Sequence, residues 1–341
     1  MKKLNKVSPE LTKVLVTGGG GFLGGALTLE LIKRGCRVQT FSRNFYDNLE
    51  NCGIEQVQGD LASRKDVEQA CRGVEVVFHT AAKTGVWGRY KDFYSANYTG
   101  TCNIIDACLS NSVDRLIYTS SPSVVFDGSD MEGVDESVPY PAEYNSFYPA
   151  SKALAEQAVI DAARHGLKTI SLRPHLIWGP GDTNLVPRII KRASSLARVG
   201  NGKNLVDTIY IDNAVDAHIL ADKHLKNDHS LSGRVYFISQ DEPVCLWNMI
   251  DNILRAAGLG PVKKSISKNT AWVIGAVLET VYRLFNIKQE PRMTRFIAHE
   301  LAAAHWFNIS AAKQDLGFQP KISTREGLAV LEEWLRNNPI Q

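Results

Sequence analysis

The chain has 341 residues, more than one hydrophobic core usually supports, so we expect a large α/β domain with a smaller second lobe. Hydrophobic residues make up 44% and charged residues 22%, which is typical of a packed protein and excludes a largely disordered chain. The formal net charge of +3 is spread without long runs of one sign, which argues against a nucleic-acid-binding protein.

Short β-branched runs alternate with helical patterns from residue 13 onward, as in parallel strands joined by crossover helices. The predicted strands are 14–17, 37–42, 54–59, 74–80, 115–120 and 168–173, and the predicted helices are 22–34, 63–71, 93–110 and 148–165. This order predicts a doubly wound parallel sheet, the Rossmann fold.

The regular pattern breaks after residue 174, where GPG at 179–181 and GNG at 200–202 mark turns. A helix at 206–224 and a strand at 234–239 are predicted to return to the sheet. We therefore predict an NADP-binding Rossmann domain from 13–174 plus about 205–240, and a smaller, mostly helical substrate lobe from about 175–204 plus 241–341.

Residues 271–287 are the most apolar stretch outside the predicted sheet. Glu279 and Arg283 interrupt this stretch, and it falls short of the ~20 apolar residues that cross a bilayer, so we expect an amphipathic helix and no transmembrane segment. Burial of the helix against the C-terminal lobe is the first hypothesis. A face toward a membrane surface or a lipid-like substrate is the second.

The cysteines and the N-terminus bear on the cellular compartment. Six cysteines show no C-x-x-C pair, and no apolar run follows the basic residues at the N-terminus, so reduced thiols and a cytoplasmic protein are expected. The histidines show no metal-ligand spacing, and we predict no metal site. His79 and His175 are expected to be buried, hydrogen-bonded core residues.

The segment TGGGGFLG at 17–24 follows an apolar strand and opens a helix. Gly18, Gly21 and Gly24 have the spacing G-x-x-G-x-x-G, in which missing Cβ atoms allow a tight turn and close approach to a pyrophosphate. Phe22 and Leu23 begin the helix at that point. A plain glycine-rich turn is the alternative, but the strand-turn-helix context favours a nucleotide site.

The second strand ends in Ser42-Arg43-Asn44, where NAD-binding domains usually carry an acidic residue. Arg43 can bind a ribose 2′-phosphate through charge-assisted hydrogen bonds, and Ser42 can add another. The sequence therefore favours NADP(H). A solvated loop arginine is the alternative.

Two further strand ends are candidates for cofactor contacts. Asp60-Leu61 follow the third strand, where the carboxylate can accept a hydrogen bond from the adenine amine, although Asp60 could equally be the N-cap of the helix at 63–71. Ala81-Ala82 follow the fourth strand and offer small side chains beneath the ribose.

The segment YPASK at 148–152 places Tyr148 and Lys152 on one face of a helix. A phenol is a poor acid at neutral pH, but a neighbouring ammonium and a positive nicotinamide lower its pKa. Ser121, just beyond a strand, can hold a substrate carbonyl oxygen. Ser120 or Ser123 can take that role instead, and turn serines often bond only their own backbone.

The chain resembles the extended short-chain dehydrogenase/reductase superfamily, and within it the 3β-hydroxysteroid dehydrogenase branch, from residue 13 to about 325. The resemblance rests on TGGGGFLG at 17–24, GDL at 59–61, HTAA at 79–82, YTSSPSVVF at 118–126, YPASK at 148–152 and LRP at 172–174.

This resemblance implies a role for each of five residues. Tyr148 is the proton donor, Lys152 binds the nicotinamide ribose and assists the phenol, and Ser121 completes the triad. Asn97 lies near the active site and supports Lys152, with a purely structural role as the alternative. Pro174, in the LRP segment, lies beside the cofactor.

Three segments are similar to a bacterial group of this branch that acts in long-chain olefin biosynthesis: GVWGRY at 85–90, SPSVVFDGSDMEGVDES at 121–137 and RPHLIWGPGD at 173–182. The similarity implies NADPH-dependent reduction of a 2-alkyl-3-oxoalkanoate to the 3-hydroxy acid, with enzymes of the same pathway as possible partners. We also expect a homo-oligomer, and a groove lined by residues 271–287 for the two alkyl arms.

Four other functions are weighed against this reductase. A sterol dehydrogenase keeps the whole triad and differs in substrate and cofactor. A nucleotide-sugar epimerase uses NAD, which Arg43 disfavours. A sugar dehydratase usually carries Asp-Glu where Pro122-Ser123 stand. A nucleotide-sensing regulator would need neither Tyr148 nor Lys152.

Overall fold

The computed structural model describes residues 12–340. Its strands are β1 (Lys13–Thr17), β2 (Arg37–Ser42), β3 (Glu55–Gln58), β4 (Val76–His79), β5 (Arg115–Thr119), β6 (Met131–Val134), β7 (Lys168–Pro174), β8 (Ile177–Trp178), β9 (Ala197–Val199), β10 (Leu205–Val206), β11 (Ile209–Tyr210), β12 (Arg234–Ile238), β13 (Val244–Cys245), β14 (Lys264–Ile266) and β15 (His305–Phe307).

The helices flank these strands and connect them. They are α1 (Phe22–Lys33), α2 (Asp47–Glu50), α3 (Arg64–Ala70), α4 (Tyr90–Phe93), α5 (Gly100–Ser110), α6 (Phe147–Arg164), α7 (Leu185–Arg192), α8 (Ile211–Asn227), α9 (Leu246–Ala256), α10 (Lys268–Leu284), α11 (Arg295–Ala302), α12 (Ser310–Leu316) and α13 (Thr324–Asn337).

Seven parallel strands form the central sheet in the order β3-β2-β1-β4-β5-β7-β12. Successive residues of β1 alternate between two buried clusters, with Val14 and Val16 on one face and Leu15 on the other. Both faces are therefore covered, as parallel sheets require. The predicted doubly wound Rossmann fold is confirmed, and β12 returns to the sheet beside β7.

The structure differs from two of the predicted helices. Residues 205–210 are not helical, because β10 pairs with β13 and β15 while β11 pairs with β8, so α8 begins only at Ile211. The helix predicted at 93–110 begins at Tyr90 and contains a π-helical segment, Tyr94–Thr99, between α4 and α5. Periodicity alone does not reveal such a local widening.

Helix α10 leaves its large apolar side chains exposed or half-buried and does not bury them against the C-terminal lobe, so the first hypothesis for this stretch is wrong. Ala271, Gly275 and Glu279 are its buried residues. A Cβ at Gly275 would lie 2.6 Å from the backbone carbon of Thr294, so glycine lets α10 lie against the start of α11. None of the helices within residues 12–340 is long and apolar enough to cross a membrane.

Candidate active site

A cavity of about 480 Å³ opens at the carboxyl ends of the central strands. Ligands of open α/β sheets bind at this edge, where the strand order reverses. Asn97 is the one predicted site residue that does not line this cavity. All the other residues predicted to contact the cofactor or to act in catalysis do line it: Gly18, Gly21, Phe22, Leu23, Gly24, Ser42, Arg43, Asp60, Leu61, Ala81, Ala82, Ser121, Tyr148, Lys152 and Pro174.

The turn between β1 and α1 requires glycine at two positions. Gly18 has a φ of +72°, in the left-handed region that side chains disfavour. At Gly24 a Cβ would lie 2.2 Å from the Gly18 carbonyl oxygen, so only glycine lets α1 start this close to the strand. The turn fits a dinucleotide with its pyrophosphate at the N-terminus of α1.

The end of β2 forms one rim of the cavity. Arg43 is exposed there, and none of the carboxylates within residues 12–340 forms a salt bridge with it. The Ser42 hydroxyl donates to the Asn44 carbonyl oxygen at 2.7 Å, so it would have to leave this bond to donate to a phosphate. Arg43 is therefore the stronger of the two phosphate-binding candidates.

Asp60 does not cap α3, so that alternative is wrong. The Ser63 hydroxyl accepts the hydrogen bond from the Asp66 amide at the start of the helix. Asp60 instead accepts from the Ala62 amide at 2.9 Å, and with Leu61 it lines the cavity.

His79, the last residue of β4, is a buried core residue with both ring nitrogens hydrogen-bonded. Its Nδ1 is 2.7 Å from the Thr17 hydroxyl, and its Nε2 is 3.0 Å from the Thr101 hydroxyl. Burial, together with the charge of Lys152, lowers the pKa of His79 to about 3. His175 is likewise buried and lies 2.6 Å from His305, Nε2 to Nδ1.

Tyr148 lies in the first turn of α6, and Ser121 precedes the 3₁₀ turn that follows β5. Burial raises the pKa of the Tyr148 phenol, and a hydrogen bond with Ser121 opposes that rise. Among the protein's own groups the pKa of Tyr148 is therefore raised, opposite to the lowering predicted for a phenol beside an ammonium, and burial is the largest cause. A raised pKa keeps the phenol protonated, which is the form that donates a proton.

The neighbouring serines differ in their access to the cavity. Ser120 lines it and is buried, and its hydroxyl has no hydrogen-bond partner among residues 12–340. The Ser123 hydroxyl lies 2.9 Å from that of Ser121 and is absent from the lining. The geometry thus favours Ser121 or Ser120 over Ser123 for holding a carbonyl oxygen.

Lys152 is buried, and its Nζ donates to the Thr119 carbonyl oxygen at 2.6 Å. The same ammonium lies 4.1 Å from the centre of the Tyr118 ring. Burial lowers the pKa of Lys152 to about 7, against the opposing effect of Glu156. A small change in its surroundings can therefore change its protonation near neutral pH.

Asn97 lies in the π-helical segment and does not contact Lys152 directly. Its amide oxygen accepts from the Lys83 backbone at 2.7 Å, and its amide nitrogen donates to the Ser151 hydroxyl at 2.9 Å. Asn97 therefore joins the loop after β4 to α6, one residue before the lysine. Any support that it gives to Lys152 acts through this helix.

A buried ion pair lies one helical turn beyond Lys152. The Arg173 guanidinium donates two hydrogen bonds to Glu156, at 3.0 and 2.6 Å, and the Tyr140 hydroxyl donates a third at 2.6 Å. The exposed fraction of the side chain is 3% for Arg173 and 0% for Glu156. The pair ties α6 to β7, and sequence patterns did not reveal it.

Several cavity residues were missed because they lie on irregular segments. Tyr46 packs over Gly20, where a Cβ would lie 2.1 Å from the tyrosine ring. Further lining residues follow β7, within or directly after the segment RPHLIWGPGD: Leu176, Ile177 of β8, Asp182, Thr183 and Asn184. The sequence of this segment showed a similarity to a bacterial group of the family, but it predicted no role for these individual residues.

Comparison with protein families gives a match over residues 15–267 to the 3-beta hydroxysteroid dehydrogenase/isomerase family. The chain belongs to this family. It is 45% identical to the 2-alkyl-3-oxoalkanoate reductase of Shewanella oneidensis, over 96% of this chain and 88% of that protein. It is 32% identical to the decarboxylating sterol-4-alpha-carboxylate 3-dehydrogenase of Mus musculus, over 93% of this chain and 89% of the relative.

Solved structures show the same fold. The crystal structure of gox2253 superposes with a TM-score of 0.78 at 26% identity, covering 97% of this chain and 99% of that one. The UDP-glucuronic acid 4-epimerase from Bacillus cereus, solved with NAD, gives 0.73 at 21% identity, covering 96% and 99%. Family and relatives confirm the predicted oxidoreductase of the extended short-chain dehydrogenase/reductase superfamily, which depends on NAD or NADP.

Proposed function

We propose that this protein reduces the ketone of a 2-alkyl-3-oxoalkanoate to the 3-hydroxy acid in long-chain olefin biosynthesis, with NADPH as the reductant. The observation that carries this proposal is the 45% identity to a curated reductase of that name over nearly the whole chain. The cavity supports it, because it brings Ser121, Tyr148 and Lys152 together at the sheet edge.

Reduced nicotinamide supplies the hydride when the cofactor is bound. The Ser121 hydroxyl orients the ketone by donating a hydrogen bond to its oxygen, and Tyr148 donates a proton to the same oxygen. Burial keeps that proton on the phenol until it is needed. Lys152, held by Thr119, lies one helical turn away and stabilises the phenolate that remains.

The residues at the end of β2 support the proposed preference for NADPH. Arg43 lies at the cavity rim without a carboxylate partner within residues 12–340, and a 2′-phosphate offers it a charge-assisted, bidentate contact. A ribose hydroxyl offers no such charge.

The test follows NADPH absorbance with freshly prepared 2-alkyl-3-oxo acids of increasing chain length, since 3-oxo acids lose carbon dioxide on standing. Parallel reactions use NADH, a 3-oxo sterol and a nucleotide sugar. We expect the highest kcat/KM for the longer acids with NADPH. A nucleotide sugar or a sterol that turns over faster than every acid contradicts the proposal.

A sterol dehydrogenase is the second candidate, because the mouse relative matches 93% of the chain. Its name describes a carboxylate on the carbon next to the one that is oxidised, which is also the arrangement in a 3-oxoalkanoate. Oxidation of a 3-hydroxy-4-carboxysterol with release of carbon dioxide, at a rate above that of the alkanoate reaction, would favour this candidate.

Three further expectations belong to this proposal. The protein acts in the cytoplasm, as a homo-oligomer, and beside the enzymes that make its 3-oxo acid and consume its product. The expected groove along residues 271–287 is not part of the proposal, because none of these residues lines the cavity described above.

A further inference from the structure

One charged residue of the cavity has no role in the mechanism above. The charged side chains of the lining are Arg43, Asp60, Lys83, Lys152 and Asp182. Arg43 and Asp60 are predicted cofactor contacts, and Lys152 stabilises the phenolate. Both carboxylate oxygens of Asp182 accept backbone amides at the start of α7, from residues 184 and 186 at 2.7 and 2.8 Å. Lys83, on the loop after β4, is therefore left without an assignment.

Hydrogen bonds fix the backbone of Lys83 relative to the catalytic tyrosine. The Asn97 side chain accepts from the Lys83 amide at 2.7 Å and donates to the Lys83 carbonyl oxygen at 3.1 Å. The same Asn97 amide group donates to the Ser151 hydroxyl at 2.9 Å, and that hydroxyl donates to the Tyr148 carbonyl oxygen at 2.9 Å. The loop that carries Lys83 is thus held against the first turn of α6, which contains Tyr148.

The Lys83 ammonium has no counter-charge in the part of the chain from residue 12 to residue 340. Asp92 of α4 pairs with Arg89 instead, at 2.9 Å. The side chain of Lys83 is half-buried, and its ammonium lies 5.1 Å from the centre of the buried Phe93 ring. An aromatic ring stabilises a cation only modestly. A partly desolvated ammonium of this kind attracts an anion, because water screens its charge incompletely.

We propose that Lys83 binds the carboxylate of the substrate, an inference that rests on the reductase function proposed above. In a 3-oxo acid a single carbon separates the carboxyl carbon from the ketone carbon. Holding the ketone oxygen at Ser121 and Tyr148 therefore places the carboxylate close to the catalytic tyrosine. Among the described residues that line the cavity, Lys83 is the cation that neither the cofactor nor the proton transfer requires.

A contact at the carboxylate adds what the contact at the ketone lacks. A ketone held only at its oxygen can turn about that contact, whereas a second fixed point decides which face of the ketone meets the nicotinamide. An ammonium also distinguishes a free acid from an ester or a simple ketone with the same alkyl chains, which apolar contacts cannot do.

The experiment compares a 2-alkyl-3-oxo acid with its methyl ester, which has the same alkyl chains and no charge. Lys83→Met removes the ammonium and keeps a long side chain, and Lys83→Arg keeps the positive charge. Lys91→Met is the matched control, because Lys91 is an exposed lysine of α4 that does not line the cavity. Circular dichroism and thermal unfolding confirm that the variants are folded.

We expect Lys83→Met to lower kcat/KM for the acid about ten- to a hundredfold, mainly through KM, because a charge-assisted contact is lost. Its kcat/KM for the ester and its Kd for NADPH should match those of wild type. Lys83→Arg should retain most of the activity on the acid, and Lys91→Met should behave as wild type. An equal loss for acid and ester overturns the proposal. So does an equal rise in the Kd for NADPH, because the lysine would then bind the cofactor.

Calorimetry with the stable product, a 2-alkyl-3-hydroxy acid, tests the same contact without turnover. We expect wild type in complex with NADP⁺ to bind this acid more tightly than its methyl ester, and Lys83→Met to lose that difference. Wild type that shows the difference but reduces neither 3-oxo compound contradicts the proposed reductase and supports the carboxylate site. Equal affinity of wild type for acid and ester overturns the carboxylate site, whatever the turnover.

Discussion

Replacing Tyr148 by phenylalanine removes one hydroxyl from the cavity and leaves the ring in place. If Tyr148 donates the proton, kcat should fall by about 10²–10⁴ while NADPH affinity is unchanged. Steady-state kinetics and fluorescence titration with NADPH measure the two quantities. Turnover equal to that of wild type would remove Tyr148 from the mechanism.

Arg43→Ala tests the choice of cofactor. Loss of a charge-assisted contact with the 2′-phosphate costs about 1.5–3 kcal/mol, so the Kd for NADPH should rise roughly ten- to a hundredfold, with little change for NADH. Titration of both cofactors against wild type and variant provides the comparison. Equal losses for the two would mean that Arg43 supports the loop rather than the phosphate.

Lys152 makes the stability of the cofactor-free protein depend on pH. Its pKa is about 7 when folded and near 10.4 in an unfolded chain, so between these values the unfolded state binds a proton that the folded state lacks. Raising the pH from 7 toward 10 therefore favours folding, by at most about 1.4 kcal/mol per pH unit.

Lys152→Met lacks this contribution. Urea unfolding at several pH values should show a free energy of unfolding that rises less steeply with pH in the variant than in wild type. Parallel curves for the two proteins would show that the ammonium keeps its proton in the folded state.

At the scale of elements, the Glu156–Arg173 pair holds α6 against β7 and so fixes where Lys152 lies. Glu156→Gln leaves a buried guanidinium without its counter-charge, and we expect a loss of about 3–5 kcal/mol in the free energy of unfolding. It should also lower the pKa of Lys152 further, because Glu156 raises that pKa.

The pH profile separates the two effects. In Glu156→Gln the fall of kcat/KM at high pH, the alkaline limb of the profile, should move to lower pH. Tyr140→Phe removes a neutral hydrogen bond to the same carboxylate and should leave this limb in place. A destabilised variant with an unshifted limb would show that the pair acts on the fold alone.

The whole molecule shows what the sequence could predict. The β-branched runs and glycine spacing predicted the Rossmann sheet and its ligand edge, because both depend on local residue types. The predicted burial of α10 is wrong, because an apolar stripe indicates that one face of a helix is hydrophobic but does not indicate which element, if any, covers that face. The contacts of Asn97 and Glu156 join distant segments, and single-sequence patterns carry no information on such pairs.

Strand β12 lies far along the chain from the rest of the central sheet, and this affects the order of folding. Arg234 pairs with Ile170, and Ile238 pairs with Pro174, so β7 remains an open edge until residue 238 has left the ribosome. Unpaired strand edges are aggregation-prone in partly made chains. We therefore expect a chain truncated before β12 to be insoluble, which expression and centrifugation of the truncated protein would test.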